Sequence, residues 1–390
     1  MIIEFATTSF KSMISFGAEN LEEFTCFVGL NGAGKSSILQ FLDFTSHLFR
    51  GDINKWLTDR RWDASDLHSK IASQSNVSLG VRIKTRSGRD LAWTASFNRT
   101  SMICTWEDIE DMASGELLFS LAKGRYSMPL SDVAKFEAKV SFNYQGSILS
   151  ALKDDVLTPE LLEIKSELSS IRSLELLSPH LMRLSHRDTA LDIGVGGEKL
   201  SPFLYAIKGE ARQKLVDLLK KFYPAVVDFK VKQERAGWKK LSLIEEYDGK
   251  RVEVDAKHIN DGVLRILAIL AQSASGNSLL LFDEIENGVN PEVVEKLVDV
   301  LRTCGQQVIV TTHSPMILNY LPDDVAKQSV RFVYRSFDGG TRTVPLFEIP
   351  KMAEKLRVMG PGEAFVDTSL SLLAEECAAN DKAAAKEGDA

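Results

Sequence analysis

No stretch of this sequence is both long and apolar enough to cross a bilayer. The longest apolar stretch, Val263–Leu270, is interrupted by Arg265 and falls far short of the roughly 20 residues a membrane helix needs. The first residues, Met1-Ile2-Ile3-Glu4-Phe5, lack the basic start and cleavage site of an export signal and read as a β-strand. Cysteine is scarce: Cys26, Cys104, Cys304 and Cys377 lie far apart and form no C-x-x-C. That argues against a zinc site and a disulfide framework, and it fits a reducing cytoplasm. Basic charge is not in excess either. The net charge is −7, so bulk composition does not announce nucleic acid. What remains is 390 residues, 44% hydrophobic and 26% charged, enough for one large or two modest domains.

The strongest positive feature is Gly29-Leu30-Asn31-Gly32-Ala33-Gly34-Lys35-Ser36, which reads G-x-x-x-x-G-K-S. It follows an apolar run, Phe24–Val28, that reads as a buried strand, and precedes a helical stretch from Ser36 to Leu42. In that context a Gly-rich loop curls so that backbone N–H groups point at the phosphates of a nucleotide. Lys35 adds a point charge, Ser36 a hydroxyl for Mg²⁺, and the helix N-terminus a partial positive charge. Asn31, Gly32, Ala33, Gly34 and Ser37 complete the expected phosphate-binding set.

A second cluster lies near the other end. Leu279–Phe282 reads as a buried strand that delivers Asp283 and Glu284 at its C-terminal end. This is the arrangement in which the first acid reaches Mg²⁺ through water and the second polarises the attacking water. Val308–Val310 forms another buried strand that ends in Thr311-Thr312-His313. His313 is therefore expected at the same sheet edge as Lys35, in a position to sense the γ-phosphate. Asn260-Asp261-Gly262 precedes a helix from about 262 to 273. It is a helix cap on local chemistry, or alternatively a second phosphate-binding helix N-terminus.

Between these clusters the texture changes. Residues 76–142 alternate with period two (77–83, 91–97, 102–106, and 140–144 at the edge), which predicts an antiparallel β section. Residues 147–222 turn helical, with Leu161, Ile164, Leu168 and Ile171 at spacings of three and four and a second helix over about 202–222. Asn290 and Pro291 start a further helix whose apolar face is Val294, Leu297, Val298 and Leu301. The expected organisation is an N-terminal lobe (1–145), a helical subdomain (146–224), a C-terminal lobe (225–350) and a helical tail (351–390) whose last dozen residues are unstructured.

The motif order resembles the ABC-type ATPase head: G-x-x-x-x-G-K-S, then Asn260-Asp261-Gly262-x-x-Arg265, then Phe282-Asp283-Glu284-x-Glu286-Asn287-Gly288-x-Asn290-Pro291, then Thr311-Thr312-His313-Ser314-Pro315. More narrowly it is similar to the branch with RecF, SMC proteins, OLD-family ATPases and stand-alone bacterial AAA family ATPases. The match covers residues 1–48 and 255–320 well and the middle weakly. The resemblance implies an α/β fold with a mainly parallel core sheet, an antiparallel β section and a helical subdomain, and it implies ATP and Mg²⁺ as ligands. It makes Ile259–Gly262 the signature loop, whose Asn260, Asp261 and Gly262 act on ATP bound to a second copy. Residues 286–290 become the D-loop, with Asn290 in its final polar position, and His313 the switch histidine. Two heads would then sandwich two ATP molecules, with a higher oligomer left open. Departures are Asn260 where the signature Ser stands and Ile285 where a Pro follows the acid pair. Gln74 is a candidate for a glutamine loop, and Phe10 and Lys11 lie at the distance before the P-loop where adenine contacts belong, or are simply part of a β-strand.

Three functions compete. One is a switch that controls DNA engagement or a partner effector (a nuclease or toxin encoded nearby) in repair or phage defence. The second is a scaffold with little turnover. The third, a transporter ATPase, is disfavoured because L-S-G-G-Q and D-E-P-T-S-A-L-D are missing. Asn260 follows Ser36 by only 224 positions, which excludes a long coiled coil. The 77 residues after His313 hold no D-x-D, so a nuclease is not expected in cis. Two basic clusters, Arg60-Arg61 beside Trp62 and Lys230, Lys232, Arg235, Lys239, Lys240, are either solvated faces or DNA contacts.

Overall fold

The computed structural model describes residues 1–72, 74–131, 134–189 and 192–388. The chain opens with β1 (Ile2–Phe10), β2 (Met13–Ala18), β3 (Phe24–Gly29), α1 (Lys35–Arg50) and α2 (Ile53–Arg60). Six strands follow: β4 (Val77–Lys84), β5 (Asp90–Asn98), β6 (Ile103–Asp111), β7 (Glu116–Ala122), β8 (Arg125–Ser131) and β9 (Ala134–Lys139). The middle contains α3 (Pro159–Ser169), β10 (Arg172–Ser173), α4 (Pro179–Met182), α5 (Leu200–Ala206) and α6 (Gly209–Phe222), then β11 (Val226–Gln233), β12 (Lys239–Tyr247) and β13 (Lys250–Asp255). After α7 (Asp261–Ser273), β14 (Leu279–Phe282) and α8 (Pro291–Arg302) come β15 (Gln307–Thr312), α9 (Pro315–Asn319) and α10 (Asp323–Ser329). The chain closes with β16 (Val330–Arg335), β17 (Thr341–Pro345), α11 (Pro350–Leu356), α12 (Pro361–Val366) and α13 (Leu370–Gly388).

Two compact units result: Met1–Arg172 with Gln307–Ala390, and Ser173–Gln306. The division departs from the four expected segments. Residues 146–172 pack with the N-terminal lobe because Arg50, at the end of α1, donates from Nε to Ser169 O (2.8 Å) and from Nη2 to Ile171 O.

In the first unit an eight-stranded antiparallel sheet runs in the order β2-β1-β4-β5-β6-β7-β8-β9. Beside it, β15 and β3 pair in parallel, β3 and β16 pair in parallel, and β17 closes antiparallel on β16. Strands β3 and β15 are buried at every position, as parallel strands covered on both faces must be. Helix α1 is buried almost all round and carries an aromatic wedge. The Phe41 ring lies 5.6 Å from those of Phe5 and Phe10, and the Phe44 ring lies 5.1 Å from Phe97 and 5.4 Å from Trp56. Truncating a ring packed this way costs about 3–5 kcal/mol, so the position of α1 is tightly fixed.

In the second unit a three-stranded antiparallel sheet β11-β12-β13 packs against α5 and α6. α6 contributes Leu215, Val216, Leu219 and Phe222 to the core. Helix α7 and the all-apolar β14 are buried, and Leu174 N donates to Leu281 O (2.8 Å). Helix α8 takes Asn290 as its N-cap, with the side chain accepting from Glu292 N (3.2 Å), and Pro291 opens its first turn.

Three expectations need revision. The helix over 202–222 is two helices, broken where Ile207 turns extended (ψ 120°) before Gly209 at φ +56°. Residues 140–144 form no strand; the strand is Ala134–Lys139, and Tyr144 instead anchors a loop by donating to Cys104 O (2.7 Å). The tail, expected to end unstructured, continues as α13 through Gly388, with residues 389–390 outside the described set. Alanine-rich composition favours that helix, and Asp381 ties it to the sheet by accepting from Tyr334 (3.0 Å) and Ser336 (2.6 Å).

One carboxyl is wholly buried in the first unit. Glu107 of β6 accepts from Trp93 Nε1 (3.1 Å), Ser147 Oγ (2.6 Å) and Ile148 N (2.7 Å), and so clamps the segment that follows the antiparallel sheet. Burial pushes its pKa up to about 7, against the opposing pull of the three donors. The native state then binds a proton that the unfolded chain releases at a lower pH. The contribution of Glu107 is fully present below the ordinary carboxylate range and fades as pH rises toward 7. Urea unfolding midpoints at pH 5 and pH 8 should differ less in Glu107→Gln than in the parent.

Candidate nucleotide site

The Gly-rich loop lies at the C-terminal end of β3 and runs into α1. Its shape depends on close approach: a Cβ at Gly29 would meet Val333 O at 2.2 Å, and one at Gly34 would meet Thr341 Oγ1 at 2.1 Å. Gly34 is also the N-cap of α1 at φ +110°, where only glycine sits without strain. Thr341 Oγ1 donates to Ala33 O (2.8 Å), and Arg335 Nε donates to Gly32 O (2.9 Å). Lys35 is only 5% exposed. Its Nζ donates to Gly29 O (3.0 Å) and Leu30 O (3.1 Å), so the ammonium is held over the loop.

These features fit a polyphosphate. The first turn of α1 carries no acidic side chain, and its glycine N-cap offers no side-chain cap. The positive end of the helix is therefore not neutralised locally. Asn31 and Gly32 are exposed, and space is open where a Gly32 Cβ would project. Ser36 follows Lys35 on the same turn. Ser37 accepts from Ser12 Oγ (3.3 Å), which tethers the helix start to the β1–β2 turn.

Within the same unit, β15 pairs with β3 so that Thr312 faces Val28. His313, the next residue, and Gly29 therefore leave the sheet at one edge. His313 is exposed there, and Ser314 N donates to Thr312 Oγ1 (2.9 Å) to shape the turn. At the β1–β2 turn, Lys11 donates to Gln40 Oε1 (2.7 Å) and lies 3.3 Å from the centre of the Trp62 ring. Gln74, the glutamine-loop candidate, accepts from Thr8 (3.3 Å) on β1.

The second unit gathers another set. Asp283 and Glu284 leave β14 half-buried. Glu284 sits at φ +48°, a conformation that costs a non-glycine residue on the order of 1–3 kcal/mol. Asn287 holds it there, donating from Nδ2 to Glu284 Oε2 (2.7 Å) and from its backbone N to Glu284 O (2.8 Å). Asn260 caps α7 by accepting from Gly262 N (2.8 Å). A Cβ at Gly262 would meet Gly288 O at 3.3 Å, so the Asn260–Gly262 corner abuts the loop that leads to Asn290. Arg183, just after α4, donates to Ile259 O (2.7 Å) and to the Asp261 carboxylate. Arg265 donates to Leu177 O (3.2 Å) and lies against Gly288.

The first unit thus unites Gly29, Asn31, Gly32, Ala33, Gly34, Lys35, Ser36, Ser37 and His313. The second unites Asp283 and Glu284 with Asn287, and Asn260, Asp261 and Gly262 with the Asn290 loop. Sequence reasoning missed Ser12, Arg335, Thr341 and Arg183. Arg335 and Thr341 are about 300 positions from the loop they brace, and no local spacing signals that. Among the described residues no group of three or more His, Cys, Asp or Glu could hold a metal alone. Four members of the basic clusters form ion pairs. Lys230 and Lys232 pair with Glu253 (3.8 and 3.1 Å), Lys240 with Asp255 (2.5 Å), and Arg60 with buried Asp43 (2.9 Å).

Among the described residues no helix is long and apolar enough to cross a membrane. The sequence matches a family described as AAA domain, putative AbiEii toxin, Type IV TA system over residues 24–319. No curated protein matches it. Among solved structures it is similar to an SmcHead bound to the C-winged helix domain of ScpA (15% identity, TM-score 0.52, covering 88% of this chain and 96% of that one). It is also similar to an Smc head domain with an extended coiled coil bound to the C-terminal domain of ScpA, derived from Pyrococcus furiosus (14% identity, TM-score 0.50, covering 91% and 99%). The chain belongs to this AAA-domain family and has the fold of an ABC-type P-loop ATPase head of the SMC/RecF-like branch.

Proposed function

We propose that the protein binds ATP with Mg²⁺, hydrolyses it, and uses the cycle as a switch between separate and paired heads. The observation that carries this reading is the Gly29–Ser36 loop. It ends a buried strand, keeps Lys35 over its carbonyls, and leaves an uncapped helix start and open space at Gly32. Lys35 and the N–H groups of residues 31–37 take the β- and γ-phosphates. Mg²⁺, held by Ser36 and through water by Asp283, neutralises phosphate charge. Glu284 polarises the attacking water, and His313 senses the γ-phosphate. The Asn260–Gly262 corner and Asn290 act on nucleotide bound to a second copy, so that the heads close head to tail around two ATP molecules.

The output we propose is control of a partner effector, a nuclease or toxin, in defence or repair. The family description names a putative toxin system, and the Smc heads above were solved with fragments of ScpA; both support a protein partner.

Lys35→Ala should weaken ATP binding at least about tenfold, the cost of losing charge-assisted hydrogen bonds, as read by titration with a fluorescent ATP analogue. Glu284→Gln should keep ATP affinity, slow turnover by about 100-fold or more, and accumulate a dimer in size-exclusion chromatography with ATP. A Glu284→Gln protein that stays monomeric at every ATP concentration contradicts the sandwich. Arg183→Ala should loosen the loop over residues 259–262. Amide exchange there should accelerate, and the ATP-held dimer of Glu284→Gln should weaken by about tenfold, with monomer ATP affinity unchanged.

A further inference from the structure

Helix α13 packs on β16, beside the Gly-rich loop. Leu373 and Cys377 are buried and Asp381 follows at the same spacing of four, so one face of the helix meets the sheet. Burial pushes the Cys377 thiol up to about 11, so it stays an uncharged, apolar contact. Among the described residues Asp381 is the only α13 side chain with a hydrogen bond to the rest of the protein. Its carboxylate accepts from the hydroxyls of Tyr334 on β16 (3.0 Å) and of Ser336 just past the strand end (2.6 Å). Burial, and then Asp381 itself, raise the Tyr334 pKa, so the phenol remains a donor. Bonds to an ionised acceptor are the stronger kind.

What Asp381 ties down is the turn that carries both braces of the loop. Arg335 stands between the two partners of Asp381 and donates from Nε to Gly32 O and from Nη1 to Gly339 O (both 2.9 Å). Ser336 N donates to Gly340 O (2.8 Å) and Ser336 O accepts from Gly339 N (3.0 Å), so Ser336 opens the tight turn into β17. Thr341, at the far end of that turn, donates to Ala33 O (2.8 Å). Arg335 is exposed, and ordering a long side chain costs entropy, so its grip on Gly32 holds only where its backbone is fixed. A cavity of about 310 Å³ lies between Ala374 and Ala378 of α13 and residues Leu30–Ala33. The helix therefore acts on the loop not by pressing on it there but through the turn that Asp381 holds.

We propose that Asp381 is a positioning residue for nucleotide binding: by clamping Tyr334 and Ser336 it keeps Arg335 and Thr341 on the Gly-rich loop, and α13 is the strap that sets ATP affinity. This inference rests on the nucleotide reading above. The test uses the full chain, with amide exchange measured without nucleotide and affinity read by titration with a fluorescent ATP analogue. In Asp381→Ala, exchange should accelerate about tenfold over residues 336–341 and 30–34 as well as along α13, and ATP affinity should fall about tenfold, reflecting the loss of charge-assisted hydrogen bonds. Asp381→Asn, which keeps an acceptor oxygen, should lose less. Coupling is reciprocal, so saturating analogue should slow exchange along α13 in the parent, and that protection should vanish in Asp381→Ala. Ser336→Ala removes one of the two bonds and serves as the second variant, with circular dichroism to establish that each protein folds. The proposal is overturned if folded Asp381→Ala and Ser336→Ala speed exchange along α13 alone and keep parental loop exchange and ATP affinity, or if bound analogue leaves α13 exchange in the parent unchanged. A parent that binds no analogue defeats the nucleotide reading instead, and exchange over residues 30–34, read without nucleotide, still decides whether Asp381 holds the loop.

Discussion

The close contact between the Gly-rich loop and the strands β16 and β17 is the constraint on which the site depends. A loop of eight residues cannot hold its own curvature, because its glycines pay the largest entropy on ordering. Here Val333 O lies where a side chain at Gly29 would project, Thr341 lies where one at Gly34 would, and Arg335 holds Gly32 O. The loop is therefore shaped from outside by residues from the far end of the sequence. The aromatic packing of α1 fixes the other side. With Phe41 and Phe44 wedged among Phe5, Phe10, Phe97 and Trp56, the helix start is not free to slide away from β3. Preorganisation of this kind lets N–H groups meet phosphate without rearrangement.

The second unit solves a different problem. Its acids sit at a strand end, and Glu284 is held in an unfavourable backbone conformation by Asn287. Strain maintained by two hydrogen bonds from one neighbour points the carboxylate in a defined direction. The Asn260–Gly262 corner is fixed in a comparable way: Asn260 caps α7, Gly262 abuts Gly288 O, and Arg183 holds Asp261. That last contact matters electrostatically. Asp261 stands in the first turn of α7, and the guanidinium of Arg183 offsets its charge.

What was legible in the sequence follows from the range of each interaction. Local chemistry named the Gly-rich loop, the acid pair after β14, the Asn290 cap and His313, because spacing along one chain segment determines each of them. Strands β3 and β15 were legible because full burial demands an unbroken apolar run. The same reasoning failed at Ile207, where one extended residue splits a helix, and at residues 140–144, where alternation marks an anchored loop. It could not see Arg335, Thr341 or Arg183, whose partners are distant in sequence. It also could not tell that Lys230, Lys232 and Lys240 spend their charge on Glu253 and Asp255, since cross-strand register decides that pairing.

β16 also links two kinds of polar chemistry. Arg331 and Arg335 lie on one face of the strand, four residues or about 13 Å apart. Arg335 spends its guanidinium on backbone oxygens of Gly32 and Gly339, whereas Arg331 keeps a buried donor without a partner. Their shared element is mechanical. A shift of the strand would disturb Gly29, where Val333 O leaves no room. A disturbance at the Arg331 end of β16 therefore reaches the nucleotide loop only through movement of β16 itself.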